Sequence, residues 1–149
     1  MVWNAGQSTT PSPHALNDLV QQVADADGRA FARLYQALAP AVARDLRPAM
    51  PDPADAAAVI AATFVEVWWL ARFHAAAGTD VPAWVMAVAR RRAWDRIGAA
   101  PGTDTGDHSP AVARPPVISG QAVQDEHHTL VLAGLLNHPP AADRGRDVR

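Results

Sequence analysis

The segment at residues 53–73 constrains the fold of this chain more than any other, because it is apolar on two faces. At helical spacing one stripe, suited to a core, consists of Ile60, Phe64, Val67, Trp68 and Ala71. A second apolar stripe on another face consists of Ala58, Ala62, Val65 and Trp69. A helix that is apolar nearly all round is usually buried. We therefore expect a central helix whose second stripe is covered, either by the apolar segment at residues 130–136 or by another protein chain.

Start and stop signals divide the rest of the first hundred residues into helices. Ser12-Pro13 and Asp52-Pro53 each read as an N-cap residue followed by a proline in the first turn. Asp80 is a cap for a further helix, which Gly98 closes. No strand-like alternation and no internal repeat interrupts this pattern. The sequence thus predicts an all-α fold.

A second helix is expected to start near Arg29, with a kink at Pro40. The segment at residues 99–122 is rich in Pro, Gly, Thr, Asp and Ser, as flexible linkers are. We expect a flexible N-terminus at residues 1–13, a compact bundle of about four helices at 14–98, this linker, and a short helix with a tail at 123–149.

The predicted helix at residues 80–97 changes character halfway along. Its first half is apolar, whereas its second half carries one acid, Asp95, and four arginines: Arg90, Arg91, Arg92 and Arg96. A helix anchored in a core at one end and basic at the other suits a module that docks on a polyanion. Taken alone, the cluster is more typical of a solvated helix end, where cations favour the C-terminal dipole.

The composition limits the kinds of function that this chain can have. The 149 residues allow one compact domain, and the net charge of −2 restricts any nucleic-acid binding to a local patch. The chain has no cysteine, which excludes disulfides and thiolate metal sites and favours the cytosol. No apolar run approaches the roughly 18 residues needed to span a membrane, and the first residues lack the features of a signal peptide.

Catalytic and metal-binding motifs are not evident. The six histidines are scattered or, at His127 and His128, adjacent and therefore directed to different sides of a helix. There is no nucleophile elbow, phosphate-binding glycine loop or metalloprotease motif. We expect no enzyme activity, no cofactor, no metal and no small-molecule substrate.

Residues 31–97 resemble region 2 of bacterial sigma factors of the extracytoplasmic-function group. The matching stretches are FARLYQALAPAVARDL, DPADAAAVIAATFVEVWWLARF and PAWVMAVARRRAWDRI. Their order, their helix lengths and the Asp-Pro start of the middle stretch all fit. Each short motif is weak alone, but the co-linear arrangement covers nearly half of the chain.

The resemblance implies a cytoplasmic, nucleoid-associated protein that binds the clamp of core RNA polymerase and helps to melt the promoter −10 element. In that family the basic helix faces DNA, and unstacked bases enter pockets beside the loop that precedes it. Arginines neutralise phosphates in a salt-dependent way, and aromatic rings or loop backbone hold an unstacked base. The implied DNA-binding residues are Arg90, Arg91, Arg92, Arg96, His74, Thr79 and Asp80.

Two departures from the family point to an alternative. Where the family has acidic or amide side chains that face the polymerase clamp, this chain has alanines at positions 57, 58, 61 and 62. After the segment at residues 130–144 no helix-turn-helix of region 4 fits, and the loop before Trp84 has one extra residue. The alternative is a sigma-fold interaction module without polymerase binding. It would bind an anti-sigma factor, another regulator or itself through Ala58, Ala62, Val65 and Trp69.

Overall fold

The chain is described here from a computed structural model, which covers residues 11–76, 78–99 and 120–137. It contains the helices α1 (Pro13–Ala24), α2 (Gly28–Leu46), α3 (Pro53–His74), α4 (Val81–Ala99) and α5 (Gly120–Asn137). No strand occurs among these residues. The predicted all-α bundle with a C-terminal helix is therefore confirmed.

Short polar side chains cap the helices where the sequence predicts them. The Ser12 hydroxyl accepts a hydrogen bond from the Ala15 N–H at 3.2 Å. The carboxylate of Asp52 accepts from the Ala54 N–H at 2.8 Å, and Asp80 accepts from Ala83 at 3.0 Å. Such caps satisfy orphan N–H groups of the first turn, and each contributes about 1 kcal/mol.

Helix α2 begins one residue before the expected start and continues through Pro40 to Leu46. Asp27 caps it by accepting hydrogen bonds from the N–H groups of Arg29 at 2.8 Å and Ala30 at 3.2 Å. Pro40 is exposed. Proline removes one intrahelical hydrogen bond, yet the chain stays helical on both sides of it.

Helix α3 lies at the centre of the bundle and contacts all four other helices. Phe64, Val67 and Ala71 of the predicted core stripe are fully buried, and Ile60 and Trp68 pack against the core from partly buried positions. The central place of α3 explains why so much of its surface is apolar.

Aromatic rings from α2 and α3 form the middle of the core. Phe31 meets Phe64 with ring centroids 6.4 Å apart and Trp68 with centroids 5.3 Å apart, both edge to face. Tyr35 meets Phe64 in the same way at 4.8 Å. Edge-to-face pairs of this kind add about 0.5–1.5 kcal/mol each beyond the area they bury.

Helix α3 is more apolar along its length than we expect from the sequence. An 18-residue window in Pro53–His74 has a mean hydropathy of 1.5, so this helix is long and apolar enough to cross a membrane by length and composition. Half of that window is buried in the bundle. The expectation that no run approaches a spanning length was wrong, because alanine-rich turns were discounted.

Helix α5 is longer than the expected short helix and begins at Gly120, inside the segment predicted as a linker. It packs on α3 and α2. Ala99, the first residue of the predicted linker, belongs to α4. The rest of that linker to residue 119, the tail from residue 138 and the N-terminus to residue 10 lie outside the described residues.

Candidate nucleic-acid and protein interface

Arg90 joins the C-terminal half of α4 to the end of α2. Its Nε donates to Asp45 Oδ2 at 2.9 Å, and its Nη2 donates to Asp45 Oδ1 at 3.0 Å. This two-point geometry suits the planar guanidinium. The hydrogen bond lowers the pKa of Asp45 and raises that of Arg90. The Arg90 side chain nevertheless stays 62% exposed.

Arg91 and Arg92 share one acid, Glu66, on the neighbouring helix α3. Arg92 Nη2 lies 2.7 Å from Glu66 Oε2, and Arg91 Nη2 donates to Glu66 Oε1. Burial acts to raise the pKa of Glu66, but the hydrogen bonds from both guanidinium groups outweigh it and leave this pKa below its usual value. Glu66 therefore holds α3 and α4 together.

Arg96 connects three helices. Its Nη2 lies 2.6 Å from Asp55 Oδ1 in the first turn of α3, and its Nη1 lies 2.7 Å from Asp125 Oδ2 on α5. Burial acts to lower the pKa of Arg96, but the hydrogen bonds to Asp125 and Asp55 outweigh it and raise this pKa. Its side chain is only 19% exposed.

These pairs change what the basic helix can offer to a ligand. Each of the four arginines faces a carboxylate of its own chain, so the helix end is not a bare cationic surface. Arg90 and Arg91 are the two with more than half of the side chain exposed. A guanidinium has five N–H donors, so these two retain donors for a phosphate. Arg92 and Arg96 serve mainly to hold the fold.

The predicted loop residues all support the turn between α3 and α4. His74 stacks on Trp84 with ring centroids 4.3 Å apart. The Thr79 hydroxyl donates to the Ala76 carbonyl at 3.0 Å, and Asp80 caps α4. At a rise of about 1.5 Å per residue, Asp80 lies about 24 Å along the helix from Arg96. The loop residues are thus brought together, but far from the last arginine.

The second apolar stripe of α3 is mostly covered within the chain. Ala58, Ala62 and Val65 are buried, at 8%, 7% and 7% exposure. Helix α5 packs on α3, and its residues before position 130 line a cleft with Ala58 and Ala62, to which arginines of α4 also contribute. A partner does not reach these three side chains while they are buried in the bundle. Trp69 remains accessible, at 61% exposure.

The sequence did not predict the acids that pair with the arginines, and it left open whether Trp94 belongs to the core. Phe73 continues the second stripe one turn beyond Trp69, and Trp94 lies beside the arginines of α4; both are exposed. Spacing along one helix identifies residues on one face, but it cannot identify partners on another helix. Glu66, the one acid beyond the first turn of the apolar α3, was the available signal.

Comparisons with protein-family models, with curated proteins and with solved structures found no match to this chain. Among the residues that the structure describes, no group of three or more His, Cys, Asp or Glu side chains is arranged to hold a metal ion. The arrangement of charges and aromatic rings is the remaining guide to function.

Proposed function

We propose that this chain is a sigma-factor-like transcription protein that contacts core RNA polymerase and promoter −10 DNA through α2, α3 and α4. The observation that carries the DNA part is the outward exposure of two adjacent arginines, Arg90 and Arg91, on the helix that the sigma-factor resemblance assigns to DNA. The proposed cellular place is the bacterial cytoplasm, at the nucleoid.

The ion pairs of Arg90 and Arg91 are compatible with phosphate binding. The Arg90–Asp45 pair is exposed and therefore contributes little to stability, and Glu66 keeps Arg92 as a partner when Arg91 binds elsewhere. A DNA phosphate can therefore replace Asp45 at Arg90, or bind the outer donors of Arg91, with little loss to the fold. Each phosphate neutralised in this way releases counterions and makes affinity fall as salt rises.

The turn between α3 and α4 supplies the second part of the proposal. His74 and Trp84 form a stacked pair at the start of α4, and Thr79 and Asp80 fix the loop between them. Base stacking on aromatic rings tolerates any base and suits an unpaired strand. We assign this end of α4 to the melted strand and the arginine end to backbone phosphate.

Fluorescence anisotropy of a labelled promoter-like duplex with an unpaired bubble tests the DNA part. We expect the double variant Arg90→Gln and Arg91→Gln to weaken binding and to reduce the slope of log affinity against log salt by about 2, near 0.9 for each lost phosphate contact. The double variant Arg29→Gln and Arg33→Gln is the matched control, because it removes two positive charges from the exposed face of α2. If the unaltered chain, the test variant and the control variant have equal affinity and equal salt dependence, the two arginines do not contact DNA.

A second candidate function is a protein-interaction module that keeps the sigma fold without polymerase binding. It is favoured by the exposed pair of Trp69 and Phe73 at the uncovered end of the second stripe, since exposed large apolar side chains that adjoin one another mark interaction sites. The partner would be an anti-sigma factor, another regulator or a second copy. Trp69→Glu should then change the oligomeric state in sedimentation or break a defined complex. An unchanged oligomeric state and partner set would count against this candidate.

A further inference from the structure

Helix α5 is attached to the bundle by few buried side chains. Of its residues 124–137, only Leu132 is buried, with Val131, Leu135 and Leu136 partly buried against the core. Leu130 is 65% exposed. A helix with so small a buried apolar face gains little free energy from packing. Such elements are the ones that detach most easily when a protein opens locally.

Three side chains of α5, those of Gln124, Asp125 and His128, line a half-open cleft between α5, α3 and α4. The cavity has a volume of about 280 Å³, and its lining includes Ala58, Ala62, Arg92, Arg96, Asp125 and His128. The backbones of α4 and α5 do not approach each other, so the ion pair of Arg96 and Asp125 is a link across this gap.

The polar groups under α5 are also incompletely paired. His128 Nδ1 is buried, and none of the described residues forms a hydrogen bond with it. A buried polar atom without a partner disfavours the state that buries it. The docked position of α5 thus carries a penalty that the undocked position does not.

We propose that α5 is a displaceable cover, docked reversibly over the face of α3 that contains Ala58 and Ala62 and held closed by the ion pair of Arg96 with Asp125. Residues 100–119 separate α4 from α5 in the sequence, so α5 can leave without unwinding α4. Its departure uncovers Ala58 and Ala62, which lie on the same face of α3 as the exposed Trp69.

The role of this cover rests on the proposed function, whereas the opening of α5 does not. The covered positions correspond to those that face the polymerase clamp in the resembling family. A closed α5 blocks that face, and an open α5 makes it accessible. The undocked chain is the form that binds polymerase through α3.

The absence of cysteine from the sequence allows a direct test by thiol labelling. Ala62→Cys places a reporter beside the cavity under α5, and Ala61→Cys places one at the preceding residue, which is buried in the main core. Each reporter is labelled with a thiol reagent in the full chain under native conditions. The backgrounds are the unaltered chain, Asp125→Asn, and Asp18→Asn as the charge control on α1.

We expect Asp125→Asn to accelerate labelling at position 62 by about tenfold, the size of effect that loss of one charged hydrogen bond produces. Labelling at position 61 should stay slow, and Asp18→Asn should change neither rate. If both reporters stay equally slow in all backgrounds, α5 is a fixed part of the core and the inference is wrong. Equal acceleration at both positions would show whole-chain unfolding and would also overturn it.

Core polymerase binding by the same variants separates this inference from the proposed function. Faster labelling at position 62 together with stronger polymerase binding supports both. Faster labelling without any polymerase binding supports the cover and contradicts the proposed function. Polymerase binding without selective labelling at position 62 contradicts the cover alone.

Discussion

Arg96 on α4 and Asp125 on α5 are 29 residues apart in the sequence and lie 2.7 Å apart between Nη1 and Oδ2. The same guanidinium binds Asp55 at the start of α3. One side chain therefore fixes the relative positions of three helices. This makes Arg96 the structural member of a cluster in which Arg90 and Arg91 face solvent.

Loss of Arg96 and loss of Arg91 should differ in their effect on stability. Arg96→Ala leaves two carboxylates without their guanidinium, and we expect it to lower the free energy of unfolding by about 1–2 kcal/mol. Arg91→Ala, which leaves Arg92 on Glu66, should change stability much less, because exposed pairs contribute little. Urea denaturation followed by circular dichroism measures both. Equal losses for the two variants would contradict the assignment.

Two adjacent tryptophans provide a second test. Trp68 packs against Phe31 with ring centroids 5.3 Å apart, whereas Trp69 is 61% exposed. We expect Trp68→Ala to cost about 2–3 kcal/mol, below the full range for a buried aromatic since Trp68 is only partly buried. Trp69→Ala should stay within about 0.5 kcal/mol. A larger loss of stability for Trp69→Ala than for Trp68→Ala, in thermal or urea unfolding, would contradict the packing of Trp68 in the core.

Backbone strain in the turn between α1 and α2 gives a third test. Ala26 has a φ of 64°, in the left-handed region that disfavours side chains. Glycine removes this strain and loses part of the gain to the greater freedom of the unfolded chain. We expect Ala26→Gly to raise the free energy of unfolding by about 0.5–1 kcal/mol.

The matched change in the opposite direction is Gly78→Ala, because Gly78 has a φ of 91° in the loop before α4. An added Cβ meets no neighbouring atom there, so any cost comes from the backbone alone. We expect a loss of about 1 kcal/mol. Stabilisation by this change, or destabilisation by Ala26→Gly, would contradict the conformations of these two turns.

A fourth test concerns pH and the docking of α5. Burial lowers the pKa of His128 below its usual 6.5, and the charges of Arg92 and His127 lower it further, while Asp125 opposes them. The undocked state then binds more protons between the lowered pKa and 6.5, so docking is strongest above pH 6.5 and weakens as pH falls below it.

Groups from two other helices also line this cavity. Helix α4 adds the charges of Asp95 and Arg96, whereas α3 adds the uncharged residues Ala58, Val59 and Ala62. We expect the labelling rate of Ala62→Cys, relative to that of the exposed position Ala57→Cys, to rise between pH 7.5 and 5.5. His128→Gln should abolish the rise. A rise that persists in this variant would exclude His128 as its cause.

The local parts of the fold could be predicted from the sequence. The caps at Ser12, Asp52 and Asp80 act on residues two or three positions away, so the sequence contains both partners of each interaction. The core stripe of α3 follows from helical periodicity. The first turns of α5 were missed, because the polar sequence GQAVQDEHH gives no apolar pattern.

The candidate site was predicted only in part, because its interactions join residues that are far apart in the sequence. The arginines of α4 were identified, but their carboxylate partners lie 25–45 residues away on other helices. Such pairs depend on how the helices pack, which periodicity does not determine. The same holds for Ala58 and Ala62, whose burial under α5 was one of two open alternatives.

Binding of the purified full chain to core RNA polymerase, measured by pull-down over a salt titration, tests the central claim most directly. The account predicts binding at low salt that weakens as salt rises, and tighter binding by the Asp125→Asn variant, in which α5 is released. Absence of binding at low salt by both proteins would contradict a role in transcription initiation. The exposed pair of Trp69 and Phe73 would then be the surface to pursue.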